Sequence, residues 1–161
     1  MADKSTLRTL ANALKRVPWL VTLARLLWGL SRARFTAGVV AVIINDQGAV
    51  LLVEHVFHPH TPWGLPGGWI ERREEPVEAL RRELREELGL EVRIAALLLS
   101  ELGYGDHIDL AYLCYPSNAI GRLSAELLAY RWVEADQLPR VQKFHYHAIQ
   151  HALEVVSRET K

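Results

Sequence analysis

Internal disulfide bonding is closed to this chain, which holds a single cysteine, Cys114, in 161 residues. A lone thiol forms no internal bridge, so a reducing, cytoplasmic setting fits. Cys114 sits in the apolar run Ala111-Tyr112-Leu113-Cys114-Tyr115 and reads as a small core residue rather than a nucleophile. Net charge is also missing: 19 basic side chains offset 19 acidic ones. No global positive field draws in nucleic acid, and no nucleic-acid partner is expected. Long apolar runs are absent too. Trp19 to Leu30 is apolar, but Arg25 interrupts it. A membrane span needs about 20 apolar residues, and a secretory leader needs an unbroken apolar stretch; neither is expected. There is no internal repeat and no low-complexity linker. What is present is 50% apolar and 24% charged residues, the balance of a globular domain with a core of its own.

Three zones follow from periodicity. In residues 1–34, Leu7, Leu10 and Leu14, then Leu20, Leu23, Leu26 (or Leu27) and Leu30, recur at helical spacing. Pro18 is expected to separate two helices, since proline inside a helix removes a hydrogen bond and clashes. Arg8, Lys15, Arg16, Arg25, Arg32 and Arg34 make this zone basic. In the second zone, about 37–136, Gly38 to Ile44 is β-branched and apolar and reads as a buried strand. Asn45-Asp46-Gln47-Gly48 is turn chemistry, and Ala49 to His55 is the returning strand. His58 to Gly68, rich in proline and glycine, reads as a loop. Pro76 to Leu88 is a helix opened by proline and closed by Gly89. Val92–Leu102, Ile108–Tyr115 and Leu127–Val133 are further strands. The third zone, about 141–158, is a helix with Val141, Phe144, Ala148, His151 (or Ala152) and Val155 on one stripe. The expected architecture is one α+β domain, residues 35–161, with an N-terminal helical extension, residues 1–34.

The segment Pro76–Leu88 carries the strongest chemical signal. At about 100° per residue, Val77, Leu80, Leu84 and Leu88 gather on one stripe facing the core. Glu83, Glu86 and Glu87 fall within an arc of roughly 100° on one flank of the stripe. Arg81, Arg82 and Arg85 are placed on the other. A salt-bridged surface helix accounts for Glu78–Arg82 and Arg82–Glu86. It does not account for Glu83–Glu87 or Arg81–Arg85, like-charged pairs at i,i+4 that each cost roughly 0.2–0.5 kcal/mol. A hard divalent cation would turn the glutamate pair into a ligand set. Pattern alone leaves surface helix and metal site both open.

The spacing Gly68, five residues, Glu74, seven residues, then Arg82-Glu83-Leu84-Arg85-Glu86-Glu87-Leu88-Gly89-Leu90 resembles the Nudix box, G-x5-E-x7-R-E-U-x-E-E-x-G-U with U aliphatic, at every fixed position. Trp63-Gly64-Leu65-Pro66-Gly67-Gly68 is similar to that family's lead-in loop, and the resemblance runs over roughly residues 37–155. It implies an α/β/α sandwich around a mixed β-sheet. One departure stands at Arg73, where many members carry glycine before the first box glutamate; the turn there has no glycine to supply φ freedom.

The resemblance implies Mg²⁺-dependent (or Mn²⁺-dependent) hydrolysis of a phosphoanhydride bond in a nucleoside diphosphate linked to another group. Glu83, Glu86 and Glu87, with a backbone carbonyl at Gly67 or Gly68, would hold the metal. Arg82 and Glu74 would orient those carboxylates. Glu126, six residues before Trp132, is the candidate for an extra ligand or general base; Asp106 and Asp109 are weaker ones. Trp63, Trp69, Tyr104 and His58 are candidates for touching substrate, against the plainer reading of the tryptophans as core cover. His55, His58 and His60, and His145, His147 and His151, form two loose clusters that read as surface or core residues rather than a zinc site. The competing function is a nucleotide-binding regulatory module that does not cut its ligand. Residues 1–34 are expected to pack on the domain or a second subunit, as in a homodimer, or to lie on an anionic membrane as a peripheral contact.

Overall fold

Alternation along two central strands sets the architecture of the computed structural model, which describes Asp3, residues 18–30 and residues 34–159. Strand β1 (Thr36–Ile43) is buried mainly in its second half, and strand β2 (Val50–His55) along its first four residues. Successive side chains on a strand point to opposite faces. Val39, Ala41, Ile43, Leu51 and Val53 therefore enter one apolar cluster, and Val42, Ile44, Val50 and Leu52 enter another. Each cluster is closed by a helix. Helix α2 (Pro76–Leu88) covers the first with Ala79, Leu80, Leu84 and Leu88. Helix α3 (Lys143–Glu159) covers the second with Ala148, Ile149 and Ala152. A continuous apolar strand is needed because both faces are covered.

The sheet layer has two parts. β4 (Gly67–Trp69), β1, β6 (His107–Pro116) and β5 (Val92–Leu102) form a four-stranded sheet in that order. β1 runs parallel to β6 and antiparallel to β4, so the sheet is mixed. β3 (Trp63–Gly64), β2 and β7 (Leu127–Val133) form a three-stranded antiparallel sheet. Between β1 and β2, Asn45 Oδ1 accepts the backbone N–H groups of Gln47 (3.0 Å) and Ala49 (2.9 Å). The asparagine side chain thereby fixes the turn.

Most expected elements appear within two residues of their expected ends, and the differences have local causes. The segment 58–68, expected as a loop, contains β3 and β4. These strands of two and three residues are created by their partners: Gly64 pairs with Val53, and Gly67 and Gly68 pair with Val40 and Val39. On α3 the buried stripe takes Ala152 and leaves His151 exposed. Arg82 does not keep to the arginine flank of α2. It lies only about 40° from Glu86 around the helix and turns to the glutamates.

The chain divides into two units, Met1–Arg34 and Phe35–Lys161. In the first, helix α1 spans Pro18–Leu30. Pro18 opens it, at a position where the missing N–H has no helical partner to lose. The expected stripe of Leu7, Leu10 and Leu14 lies outside the described residues, as do the side chains of Leu20 and Leu30. No helix among the described residues is long and apolar enough to cross a membrane.

Candidate active site

Two glycines let a helix carboxylate rest directly on a strand. Gly67 has φ +146°, and a Cβ there would run into the Val39 carbonyl oxygen and come within 2.8 Å of Val40 Cα. Only glycine allows β4 this close to β1. A Cβ on Gly68 would strike the Glu83 carboxylate, lying 2.7 Å from Oε2 and closer still to the other carboxylate atoms. Gly67 N–H donates to Glu87 Oε2 at 3.1 Å. Glu83 and Glu87, one turn apart on α2, thus meet the backbone of the same strand.

Arg82 ties the pieces together. Its Nε and Nη2 donate to Glu74 Oε1 (2.9 Å) and Oε2 (3.0 Å), a two-pronged pair. Nη1 donates to Glu83 Oε1 at 2.8 Å, and Nη2 also reaches the Trp69 carbonyl at 3.0 Å. Glu86 Oε2 is 3.6 Å away. A planar guanidinium is suited to such a fork, and a lysine ammonium is not. Glu74 also shapes its own turn, since its Oε2 accepts the Glu71 N–H at 2.9 Å. Between them Arg73 takes φ +67° without being glycine, a conformation that costs an L-residue roughly 1 kcal/mol.

The electrostatics divide these carboxylates. The Arg82 hydrogen bonds, then the Glu71 N–H, pull Glu74 down to about 2. Arg82 is raised above its ordinary range, chiefly by its bond to Glu74. Glu87 goes the other way, to about 8. Burial is the main cause; the Gly67 N–H opposes it, and the negative charges of Glu83 and Glu126 add to it. Glu87 is the one buried charged side chain among the described residues. A buried carboxylate facing two others is costly to ionise unless positive charge joins it.

Glu83, Glu86, Glu87, Arg82, Gly67, Gly68 and Glu126 line one cleft of about 490 Å³, with His55, Phe57, His58 and Trp69. Glu126 reaches it because the Val56 N–H donates to its carbonyl at 3.0 Å, holding the approach to β7 against the end of β2. Among the described residues no group of three His, Cys, Asp or Glu side chains is drawn together as a metal-ion site. Mg²⁺ does not require three such side chains at once, because it keeps waters and is completed by substrate phosphates. The donors fit such an ion: hard oxygens, two of them i,i+4 neighbours of like charge, and one buried carboxylate with a single hydrogen bond from Gly67.

A second cleft, of about 590 Å³, shares His55, His58, Gly67, Gly68 and Trp69 with the first. It continues past Thr36, Tyr104, His107, Asp109 and His145. Trp69 lies over His107 with ring centroids 4.6 Å apart. His107 Nε2 lies 3.2 Å from Asp109 Oδ1, and its Nδ1 is hydrogen-bonded with the Thr36 hydroxyl at 2.8 Å. His145 Nδ1 accepts the Leu65 N–H at 3.1 Å, which requires that nitrogen to be unprotonated. Burial, then His55 and His58, push His145 down to about 4. The trough is therefore acidic at one end and aromatic at the other.

The NUDIX domain family profile matches residues 34–152, most of the chain. The chain belongs to the NUDIX family. It is 32% identical over 125 residues to human "8-oxo-dGDP phosphatase NUDT18", covering 74% of this chain but 38% of that protein. It is also 32% identical over 124 residues to Escherichia coli "Nucleoside triphosphatase NudI", covering 62% of this chain and 83% of that one. Among solved structures, a MutT NUDIX hydrolase from Burkholderia pseudomallei superposes with TM-score 0.64 at 27% identity, over 74% of this chain and 98% of that one.

Within this NUDIX domain the structure brings together Glu83, Glu86, Glu87, Glu126, Gly67, Gly68, Trp69 and His58 in the acidic cleft. Arg82 lines it, and Glu74 stands behind Arg82. Tyr104 is fully exposed at the rim of the aromatic cleft. Asp109 lines that cleft, and Asp106 occupies the turn before β6 with φ +59°. Trp63 is placed elsewhere. It packs, half-buried, on the α3-side core with Arg131 3.9 Å over its ring and lines neither cleft. His55, His107 and His145 were missing from the sequence-derived site. His107 and Asp109 share a strand face at i,i+2, which is a weak signal. His145 carries none, because 80 residues separate it from Leu65.

Proposed function

We propose that residues 35–161 form a hydrolase domain that cleaves a phosphoanhydride bond in a nucleoside diphosphate linked to another moiety. Nucleoside di- and triphosphates and nucleotide sugars are the candidate substrates, and residues 1–34 are a separate attachment segment. One observation carries this reading: four carboxylates from α2 and the β7 approach face β4 in a cleft that opens directly onto an aromatic one. NUDIX proteins generally use divalent cations. Glu83, Glu86 and Glu87, with a carbonyl of Gly67 or Gly68, are the residues to hold Mg²⁺ or Mn²⁺. Such an ion offsets phosphate charge and acidifies water. Arg82, anchored by Glu74, holds Glu83 against Gly68. Glu126 lines the same cleft as the box glutamates, where a base can take a proton from water. Trp69 offers an aromatic face, with Tyr104 at the rim and His58 at the junction of the clefts. The buried Cys114 thiol, pushed up to about 12 by burial, stays protonated, in keeping with a structural residue rather than a nucleophile.

The test is a panel of nucleoside di- and triphosphates, oxidised forms and nucleotide sugars incubated with Mg²⁺. Phosphate release is read with and without added phosphatase, to distinguish the products. Turnover of at least one class that stops on chelation is the expected result. Binding of nucleotides with no turnover under any metal would replace the hydrolase with the regulatory reading.

A further inference from the structure

Helix α1 presents an apolar stripe that the hydrolase reading does not use. Trp19, Leu23, Leu26 and Leu27 fall within an arc of about 100° on the helix and are 63%, 45%, 62% and 58% exposed. Arg25 projects from the opposite side and is exposed as well. The 13 residues of α1 extend about 20 Å, well short of a roughly 30 Å hydrocarbon core. This helix can lie in an interface but cannot span a bilayer.

Charge identifies what covers the stripe. Residues 1–34 contain seven basic side chains and one acidic one, net +6. Residues 35–161 contain twelve basic and eighteen acidic, net −6. The zero balance of the whole chain hides this asymmetry. α1 itself has no acidic residue, and Lys15 and Arg16 precede it while Arg32 and Arg34 follow. Two copies of a +6 segment repel, so the charge works against self-association through this stripe. Nucleic acid would satisfy the arginines and leave Trp19 and the leucines in water. An anionic lipid surface satisfies both, with apolar side chains at the acyl boundary and basic ones among headgroups.

We infer that residues 1–34 hold this protein on an anionic lipid surface, with the Trp19–Leu23–Leu26–Leu27 stripe of α1 embedded at the interface. The acidic remainder of the chain adds no attraction to such a surface, so binding depends on these residues. The full-length protein is mixed with sedimentable vesicles of phosphatidylcholine alone or of phosphatidylcholine with phosphatidylglycerol, at low and high salt. It pellets with the anionic vesicles, stays in solution with the neutral ones, and is partly released by salt. Leu23→Gln/Leu27→Gln leaves the charge intact and lowers partition by about 100-fold, from the loss of two buried leucines. Arg32→Gln/Arg34→Gln leaves the stripe intact and lowers it by roughly 10-fold or more. Both variants keep the parent's thermal melting and any nucleotide turnover. Absence of pelleting, equal pelleting with both vesicle types, or parent-like pelleting by either variant overturns the inference. So does a parent dimer that the leucine variant splits without any lipid binding. None of these outcomes bears on the hydrolase reading, whose test contains no lipid.

Discussion

The acidic and aromatic ends of the trough are built by different means. The acidic end comes almost wholly from one short segment: Gly67 and Gly68, the Glu74 turn and α2. Its geometry follows from helical angles and from two missing Cβ atoms, with Arg82 as the common partner. The aromatic end is assembled from Thr36, Trp69, Tyr104, His107, Asp109 and His145, which come from strands, turns and a helix far apart in the chain. The contrast separates reaction from selection. On the proposed function, the end assigned to phosphate chemistry is built by local sequence, while the surface assigned to distinguishing substrates depends on tertiary contacts.

Substitutions at the acidic end should act on turnover first. Gly68→Ala drives a methyl group into the Glu83 carboxylate. A displacement of about 1 Å at a reacting centre lowers kcat about 100-fold, measured as Mg²⁺-dependent phosphate release. Arg82→Lys keeps the charge but loses the fork to Glu74, and lowers kcat about 10- to 100-fold with little change in KM. If either variant turns over like the parent, β4 and Arg82 do not position Glu83 for catalysis.

At the aromatic end the first effect should be on stability against pH. His145 titrates at about 4 in the fold against 6.5 ordinarily. The unfolded chain therefore binds this proton first as pH falls. Stability is full above pH 6.5 and drains between 6.5 and about 4, by roughly 3 kcal/mol for His145. The groups facing it, His55 and His58, come from β2 and the segment after it, and His55 is itself lowered by burial and then by His58. Denaturant melts at several pH values should show the loss, and His145→Gln, which keeps an acceptor for the Leu65 N–H, should flatten it. An unchanged slope would mean that His145 accepts a proton without leaving its place. The smallest effect is expected at Arg73. With φ already +67°, Arg73→Gly relieves strain but frees the unfolded chain, for a net gain of at most about 1 kcal/mol.

How much of this was legible in the sequence follows the same division. The strands at 38–44 and 49–55 announced themselves by apolar runs, because both of their faces are covered. α2 announced itself by a stripe, a leading proline and a closing Gly89, which takes φ +59° and donates its N–H to the Arg85 carbonyl while the Leu90 N–H caps that of Leu84. β3 and β4 were illegible. Gly64, Gly67 and Gly68 have no strand propensity, and only pairing with Val53, Val40 and Val39 makes them strands. The sequence foretold the like-charged glutamates and the pairing of Arg82 with Glu74 and Glu86; only its grouping of Arg82 with the other arginines gives way, because its angle sits at the margin between the two flanks. It left Trp63 and Trp69 equivalent; the structure sets one, half-buried, beneath Arg131 and the other at the junction of the clefts. His107 and His145 needed partners 71 and 80 residues away to become part of a site.

The central claim is that the carboxylate flank of α2 holds a divalent cation for phosphoanhydride cleavage. Glu87→Gln tests it most directly, because the amide oxygen still accepts the Gly67 N–H while the charge is gone. Mg²⁺-dependent turnover of the best substrate should fall by at least about 1,000-fold. Thermal melting, recorded alongside without metal, should be unchanged, since a carboxyl raised to about 8 by burial is already largely neutral at pH 7 and gives way to a neutral amide. Turnover within a few-fold of the parent would contradict the account.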